Sequence, residues 1–255
     1  MRIATWNLNG IRAAARKGLA DRLAELDCDV WLYQEVRATP EQLDEAWSEP
    51  DGYHALWHPA EKLGYAGTAL WSRAEPKRVQ RGLPDEHDLE GRVLQATVGG
   101  VRLVSVYLPS GSSGEHRQVE KERWMERFMP WAEKLARSRV PTILGGDLNI
   151  AHTERDIFHA KSNQKTSGFL PHERAWFGDL LETGWADLIR ESAGDVHGPY
   201  SWWSNRGRAR ELDRGWRIDY LLANRAAAKR VTSCGIDREA GLAISDHAPV
   251  WVELD

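Results

Sequence analysis

Short apolar runs recur along the whole chain, and five of the eight carry, inside them or just after them, a residue that water should claim. The runs cover residues 3–7, 29–34, 67–72, 93–98, 101–108, 142–147, 218–223 and 249–254, each of strand length. Asn7 and Asn9, Gln34 and Glu35, Tyr107, Asp147 and Asn149, and Asp219 lie inside these runs or directly after them. A buried amide or carboxylate is costly unless it is paired or bound to a metal. A fold that accepts such a pattern has to gather the strand ends into one polar pocket.

Helical periodicity fills the spaces between the runs. Ile11, Ala15, Leu19, Leu23 and Leu26 share one face of a predicted helix, Trp124, Phe128, Trp131 and Leu135 share another, and Trp176, Phe177, Leu180 and Leu181 mark a third. Gly99-Gly100 separates two apolar runs and predicts a hairpin. Strands interspersed with helices point to an α/β fold, a layered sandwich of β-sheets covered by helices. No repeat or linker divides the 255 residues, so residues 1–255 are expected to form a single catalytic domain.

Apolar residues are 42% and charged residues 28% of the chain, the balance of a soluble globular protein. Cys28 and Cys234 stand far apart, which disfavours a disulfide framework or a zinc cluster. No leader-like apolar segment or membrane span is visible, so the expectation is a cytoplasmic protein with no membrane partner. A formal net charge of −4 argues against a general polyanion binder. That objection weakens if the acids concentrate in one site while Arg206, Arg208, Arg210, Arg214 and Arg217 form a basic cluster elsewhere. A solvated surface loop is the plainer reading of such a run.

The candidate chemistry lies in Glu35, Asp147, Asp219 and Asp246. An oxygen-rich set without a nearby Cys or His pair favours a hard cation such as Mg²⁺, and with it a phosphate ester as substrate. In Gly145-Gly146-Asp147-Leu148-Asn149 the glycines are expected to turn the backbone and expose Asp147 and Asn149 on one side, although Gly-Gly-Asp alone equally describes a β-turn. Asp147 could orient or deprotonate a water, and Asn149 could donate to a phosphoryl oxygen. In Ser245-Asp246-His247 the two adjacent side chains cannot easily share a target, so His247 is expected to take its orienting partner from elsewhere, with Asp219 the plausible one.

Six blocks in order resemble the signature of the exonuclease III family of AP endonucleases, within the wider endonuclease/exonuclease/phosphatase superfamily. They are Trp6-Asn7-Leu8-Asn9-Gly10-Ile11-Arg12, Gln34-Glu35, Tyr107-Leu108-Pro109-Ser110-Gly111, Gly146-Asp147-Leu148-Asn149-Ile150-Ala151-His152, Trp216-Arg217-Ile218-Asp219-Tyr220 and Ser245-Asp246-His247. The resemblance implies a four-layered α/β sandwich, two packed mixed β-sheets flanked by helices. It also implies Mg²⁺-dependent hydrolysis of the DNA backbone 5′ to abasic sites, with 3′-phosphodiesterase and 3′ to 5′ exonuclease activity, by a monomer.

Residue by residue, the resemblance makes Glu35 the principal metal ligand, with Asn7, Asp147, Asn149 and Asp246 contributing and Mn²⁺ able to substitute. Tyr107, Asp147, Asn149, Asp219 and His247 are the implied catalytic set. Trp202, Trp216 and Ile218 are the implied lining of a pocket for the baseless sugar, and Asn163 and Lys165 the implied contacts to the backbone of double-stranded DNA. Asn9 stands where some relatives carry Asp, and Thr166 where some carry Asn. With 13 tryptophans in the chain, most must be core, and Trp6, Trp31, Trp71 and Trp251 are expected there.

Overall fold

In a computed structural model describing residues 1–255, two six-stranded mixed sheets pack face to face. The strands are β1 (Arg2–Asn7), β2 (Val30–Gln34), β3 (His54–His58), β4 (Thr68–Ser72), β5 (Lys77–Arg81), β6 (Val93–Val98), β7 (Val101–Tyr107), β8 (Thr142–Asp147), β9 (Trp185–Asp187), β10 (Asp219–Asn224), β11 (Val231–Ile236) and β12 (Val250–Leu254). One sheet runs β11-β12-β1-β2-β4-β3 and the other β5-β6-β7-β8-β10-β9. Only β1–β2 and β7–β8 pair in parallel.

The helices are α1 (Ile11–Arg16), α2 (Leu19–Leu26), α3 (Glu45–Ser48), α4 (Glu115–Ala136), α5 (Pro171–Glu182), α6 (Leu188–Ala193), α7 (Arg225–Ala228) and α8 (Arg238–Ile244). The period-two alternation of each strand sorts its side chains into layers. Ile3, Val30, Leu32, Ile143, Leu221 and Val252 fill the space between the sheets. Trp6, Trp31, Tyr33 and Trp71 point the other way, under α1, α2 and α8. Leu144, Tyr220 and Leu222 meet Trp124, Phe128 and Leu135 of α4 and Phe177 of α5 on the far face. The result is helices, sheet, sheet, helices, the four layers anticipated.

Four local expectations change. The first helical face breaks into α1 and α2 because Lys17-Gly18 interrupts it, with Gly18 at φ 91°. Trp251 is only partly buried, and the Arg2 guanidinium covers its ring at 4.7 Å. Gly145 and Gly146 make no turn and lie inside β8. A Cβ on Gly145 would sit 2.8 Å from both Leu32 and Leu221, so glycine there lets the two sheets approach. A Cβ on Gly146 would sit 1.8 Å from the Val106 carbonyl oxygen of β7. Finally, β3, β5, β9 and β11 were not foreseen, and all four are edge strands.

Candidate active site

Alternation also places the polar strand ends. In β1 the residues facing the opposite sheet are Ile3, Thr5 and Asn7, and in β10 they are Asp219, Leu221 and Ala223. β8 and β10 run antiparallel with Asp147 directly opposite Asp219, so both carboxylates enter the space between the sheets at one end. Asn7 arrives from the other sheet, and Gln34 pairs with it in register on β2. Glu35 follows β2 in a left-handed conformation, φ 48°. Gln34 itself lies below the site, where its Nε2 donates to Thr5 Oγ1 at 2.9 Å and Ser105 Oγ at 2.9 Å, joining the sheets.

Asn7 is fully buried, and its Nδ2 donates to Glu35 Oε1 and to Asp147 Oδ2, each at 2.9 Å. Its oxygen accepts from the Asn9 backbone N–H at 2.9 Å. Asn7 therefore turns its donor to the two carboxylates and bridges them. Asp246 is held by Asn9 Nδ2 at 2.8 Å and by the Trp202 indole N–H at 3.1 Å. These donors and His247 lower its pKa against the opposing effect of burial.

His247 Nδ1 lies 2.9 and 3.0 Å from the two Asp219 oxygens. A carboxylate can only accept, so Nδ1 carries the hydrogen and Nε2 faces the site, 3.9 Å from Asp147 Oδ2. Burial alone would lower the imidazole pKa, but Asp219, reinforced by Asp147 and Asp246, lifts it to about 10. Asp147 is 1% exposed, and burial, aided by Asp219 and Glu35, raises its pKa to about 7 while His247 pulls the other way. Burial, together with Glu35 and Asp147, pushes the Tyr107 phenol well above its usual range. Asn149 donates its backbone N–H to Asp147 Oδ1 at 2.9 Å and its side-chain amide to the Leu108 carbonyl at 2.8 Å.

These groups open onto a cleft of about 330 Å³. Glu35, Tyr107, Asp147, Asn149, Asp246 and His247 line one part of it, and Trp202, Trp216 and Ile218 another. The two indoles meet edge to face at 6.0 Å, fixed by the antiparallel pairing of their backbones. Asn163 and Lys165 do not line the cleft. Asn163 Nδ2 holds the His159 carbonyl at 2.8 Å and its Oδ1 accepts from Thr166, while Thr166, Ser167 and Gly168 reach the cleft in their stead.

The arginine cluster also disperses. Arg217 is fully buried, its guanidinium forked onto Asp187 at 2.8 and 2.9 Å with Nε 2.7 Å from Asp156. Arg208 pairs with Glu211, and Arg210 turns to backbone carbonyls of Leu242 and Ser245. An arginine surrounded by paired acids is saturated before any polyanion arrives.

Two residues of the site escaped the sequence reading. Arg37 pairs with Glu35 and lines the cleft, and its signal was its place two residues after Glu35. Ser201 donates to Asp219 Oδ2 at 2.7 Å while accepting from the backbone N–H groups of Ile218 and Asp219 at 3.1 and 3.0 Å. Nothing local in the sequence marks it.

Ligand atoms of Glu35, Asp147 and His247 lie within 4.8 Å of one another. With Nδ1 of His247 donating to Asp219 and its pKa lifted to about 10, Nε2 also carries a proton at neutral pH, so the donors left for a cation are carboxylate oxygens. Asp147 holds a proton into the neutral range without further positive charge beside it, which is the demand a hard divalent ion meets. The residues present therefore fit a metal.

A family described as "Endonuclease/Exonuclease/phosphatase family" matches residues 4–247. The chain is 38% identical over 252 residues to an exodeoxyribonuclease of Bacillus subtilis (strain 168), covering 98% of each chain. It is 35% identical over 257 residues to the DNA repair nuclease APEX1 of Danio rerio, covering 100% of this chain and 82% of the other. Among solved structures it resembles the 3′-5′ exonuclease NExo from Neisseria meningitidis, with TM-score 0.90, 30% identity and full coverage of both chains. An AP endonuclease from Archaeoglobus fulgidus matches with TM-score 0.90 and 27% identity over 100% of this chain and 99% of the other. With the acids, the imidazole and the fold in one arrangement, the chain belongs to the endonuclease/exonuclease/phosphatase family, among its exodeoxyribonucleases and AP endonucleases.

Proposed function

We propose that this protein is a Mg²⁺-dependent DNA-repair phosphodiesterase. It cleaves double-stranded DNA 5′ to abasic sites, leaving a 3′-hydroxyl and a 5′-deoxyribose phosphate, and also clears blocked 3′ ends and degrades 3′ to 5′. The observation that carries this reading is the Asp219-held imidazole of His247 facing Asp147 across 3.9 Å, beside a wall of two indoles and an isoleucine. The printed names of the relatives support the same substrate: an exodeoxyribonuclease, a DNA repair nuclease and an AP endonuclease. A related 3′ phosphatase from Neisseria is described as bound to a product DNA hairpin.

In the proposed reaction Asp147 orients the attacking water and takes its proton, while its Oδ1 stays fixed by the Asn149 backbone N–H. His247, protonated at neutral pH and held by Asp219, donates from Nε2 to the phosphoryl group. Tyr107 and Asn149 offer donors for the remaining phosphate oxygens. Glu35, with Asp147 and Asp246, would hold Mg²⁺ or Mn²⁺, which supplies charge neutralisation at the phosphate and the departing oxygen. Trp202, Trp216 and Ile218 accept a sugar that has no base, which leaves the helical stack at low cost. Residues 1–255 act as one catalytic unit, a monomer working in the cytoplasm.

The test is incision of a labelled duplex carrying one abasic site, with Mg²⁺ and with EDTA, beside an undamaged duplex of the same sequence. Mg²⁺-dependent cutting at the lesion is expected. Absence of cutting with either Mg²⁺ or Mn²⁺ would reassign the site to another phosphate ester.

A further inference from the structure

Phe158 is 45% exposed, whereas the other three phenylalanines are fully buried. Single exposed apolar residues are common and by themselves mean nothing; here the surroundings matter. The residue before it, Ile157, is fully buried in the small cluster with Phe169 and Ile218, and it bridges to Trp216. The Phe158 N–H donates to the Gly215 carbonyl at 3.0 Å, so its backbone is tied to the residue next to Trp216 of the cleft wall. Its ring is met edge-on by His159 at 4.7 Å and covered by the Arg214 guanidinium at 5.7 Å. Both neighbours are exposed and polar, so nothing apolar from the core competes for the ring.

The same strip runs back to the cleft. The His159 carbonyl is held by Asn163, Asn163 holds the Thr166 hydroxyl at 3.1 Å, and Thr166 lines the cleft. Lys161 and Lys165 are exposed along it. An aromatic ring set among cations on a rigid rim is the pattern that binds nucleic acid through phosphate neutralisation and base stacking together.

We propose that Phe158 is a stacking platform for an unpaired nucleobase of the DNA substrate, the base left without a neighbour at a lesion or a frayed 3′ end. The proposal rests on the nuclease reading above and adds to it a base-contacting residue outside the cleft. The ring recognises a π-face, so the contact is indifferent to base identity. Because it acts on bound substrate and not on the reacting phosphate, its loss weakens binding of ground and transition states alike.

The test uses the full chain, Phe158→Ala and Phe158→Trp, and duplexes with 2-aminopurine beside an abasic site or at a frayed 3′ end; emission of this base falls when it stacks. In EDTA, wild type and Phe158→Trp should quench the probe and Phe158→Ala should not. With Mg²⁺, Phe158→Ala should raise KM about tenfold at unchanged kcat, with Phe158→Trp restoring it. The salt dependence of binding should be the same in all three, since no phosphate contact is lost. Equal quenching and equal KM in wild type and Phe158→Ala would overturn the platform. Absence of incision by wild type would instead overturn the nuclease reading, and the quenching experiment, which needs no cutting, would still decide on Phe158.

Discussion

Asp219 decides what His247 can do. A buried imidazole prefers to be neutral, and the two-oxygen contact with Asp219, with Asp147 and Asp246 behind it, lifts its pKa to about 10 against an ordinary 6.5. The stabilisation linked to this proton is complete below pH 6.5 and is lost as pH rises through 10. Asp147 is raised to about 7, so its basic form appears as pH rises through that value. Incision should accordingly follow a bell, with an acid limb from Asp147 and an alkaline limb from His247, the acid limb moving lower as bound metal favours the carboxylate. Asp219→Asn should pull the alkaline limb to lower pH, measured as kcat/KM against pH. An alkaline limb that stays in place would assign it to another group. Asp147→Asn should lower kcat by on the order of 10²-fold or more while DNA binding persists, read by gel incision and by equilibrium binding in EDTA.

Among the elements, β8 carries the tightest constraint. The Gly146 position faces the β7 backbone at 1.8 Å from where a Cβ would stand, and a strand partner cannot rotate away as a side chain can. Gly146→Ala should cost about 3 kcal/mol or more, at the upper end of overpacking, and denaturant unfolding measures it. Helices α4 and α5 brace the loop after β8 from outside. Lys121 Nζ donates to Glu173 at 2.6 Å and to the Asn149 carbonyl at 3.0 Å, while Glu173 accepts from the Gly168 N–H at 2.7 Å. Both side chains are fully buried. Lys121→Met would strand Glu173 and should destabilise the fold by roughly 3 to 5 kcal/mol. Lys121→Met with Glu173→Leu should recover only part of that in the same unfolding measurement, because no charge is left unpaired but the Asn149 carbonyl and the Gly168 N–H lose their partners.

For the molecule as a whole, the site works against the fold that holds it. Glu35, Asp147 and Asp219 are buried together with only Arg37 and His247 as positive partners there. A cation that binds only the folded chain adds stability by mass action. At one hundred times its dissociation constant Mg²⁺ should contribute about 2.7 kcal/mol, which for a chain of this size raises the melting temperature by roughly 5 to 11 °C. Calorimetry in Mg²⁺ against EDTA checks this, and Glu35→Gln should reduce the difference. An equal melting temperature in both conditions would argue that these acids hold no metal.

The sequence alone determined the strands of the sheet interiors and the polar residues at their ends, because a strand with neighbours on both sides must be apolar along its length. It could not reveal β3, β5, β9 or β11, whose edge positions leave them partly solvated and without that signal: Lys77–Arg81, for instance, is mostly charged. The ordered motifs named Asp147, Asp219, Glu35 and His247. Tertiary structure alone decided that Arg217 faces buried acids and not DNA, that Asn7 offers its nitrogen to two carboxylates, and that Ser201 fixes Asp219. It also set Arg37 and Thr166 in the wall of the cleft, with Asn163 and Lys165 outside it. The physical reason is one of range. Burial and strand alternation are written in neighbouring residues, whereas a side chain's partner is chosen by whatever distant segment the packed sheets bring against it.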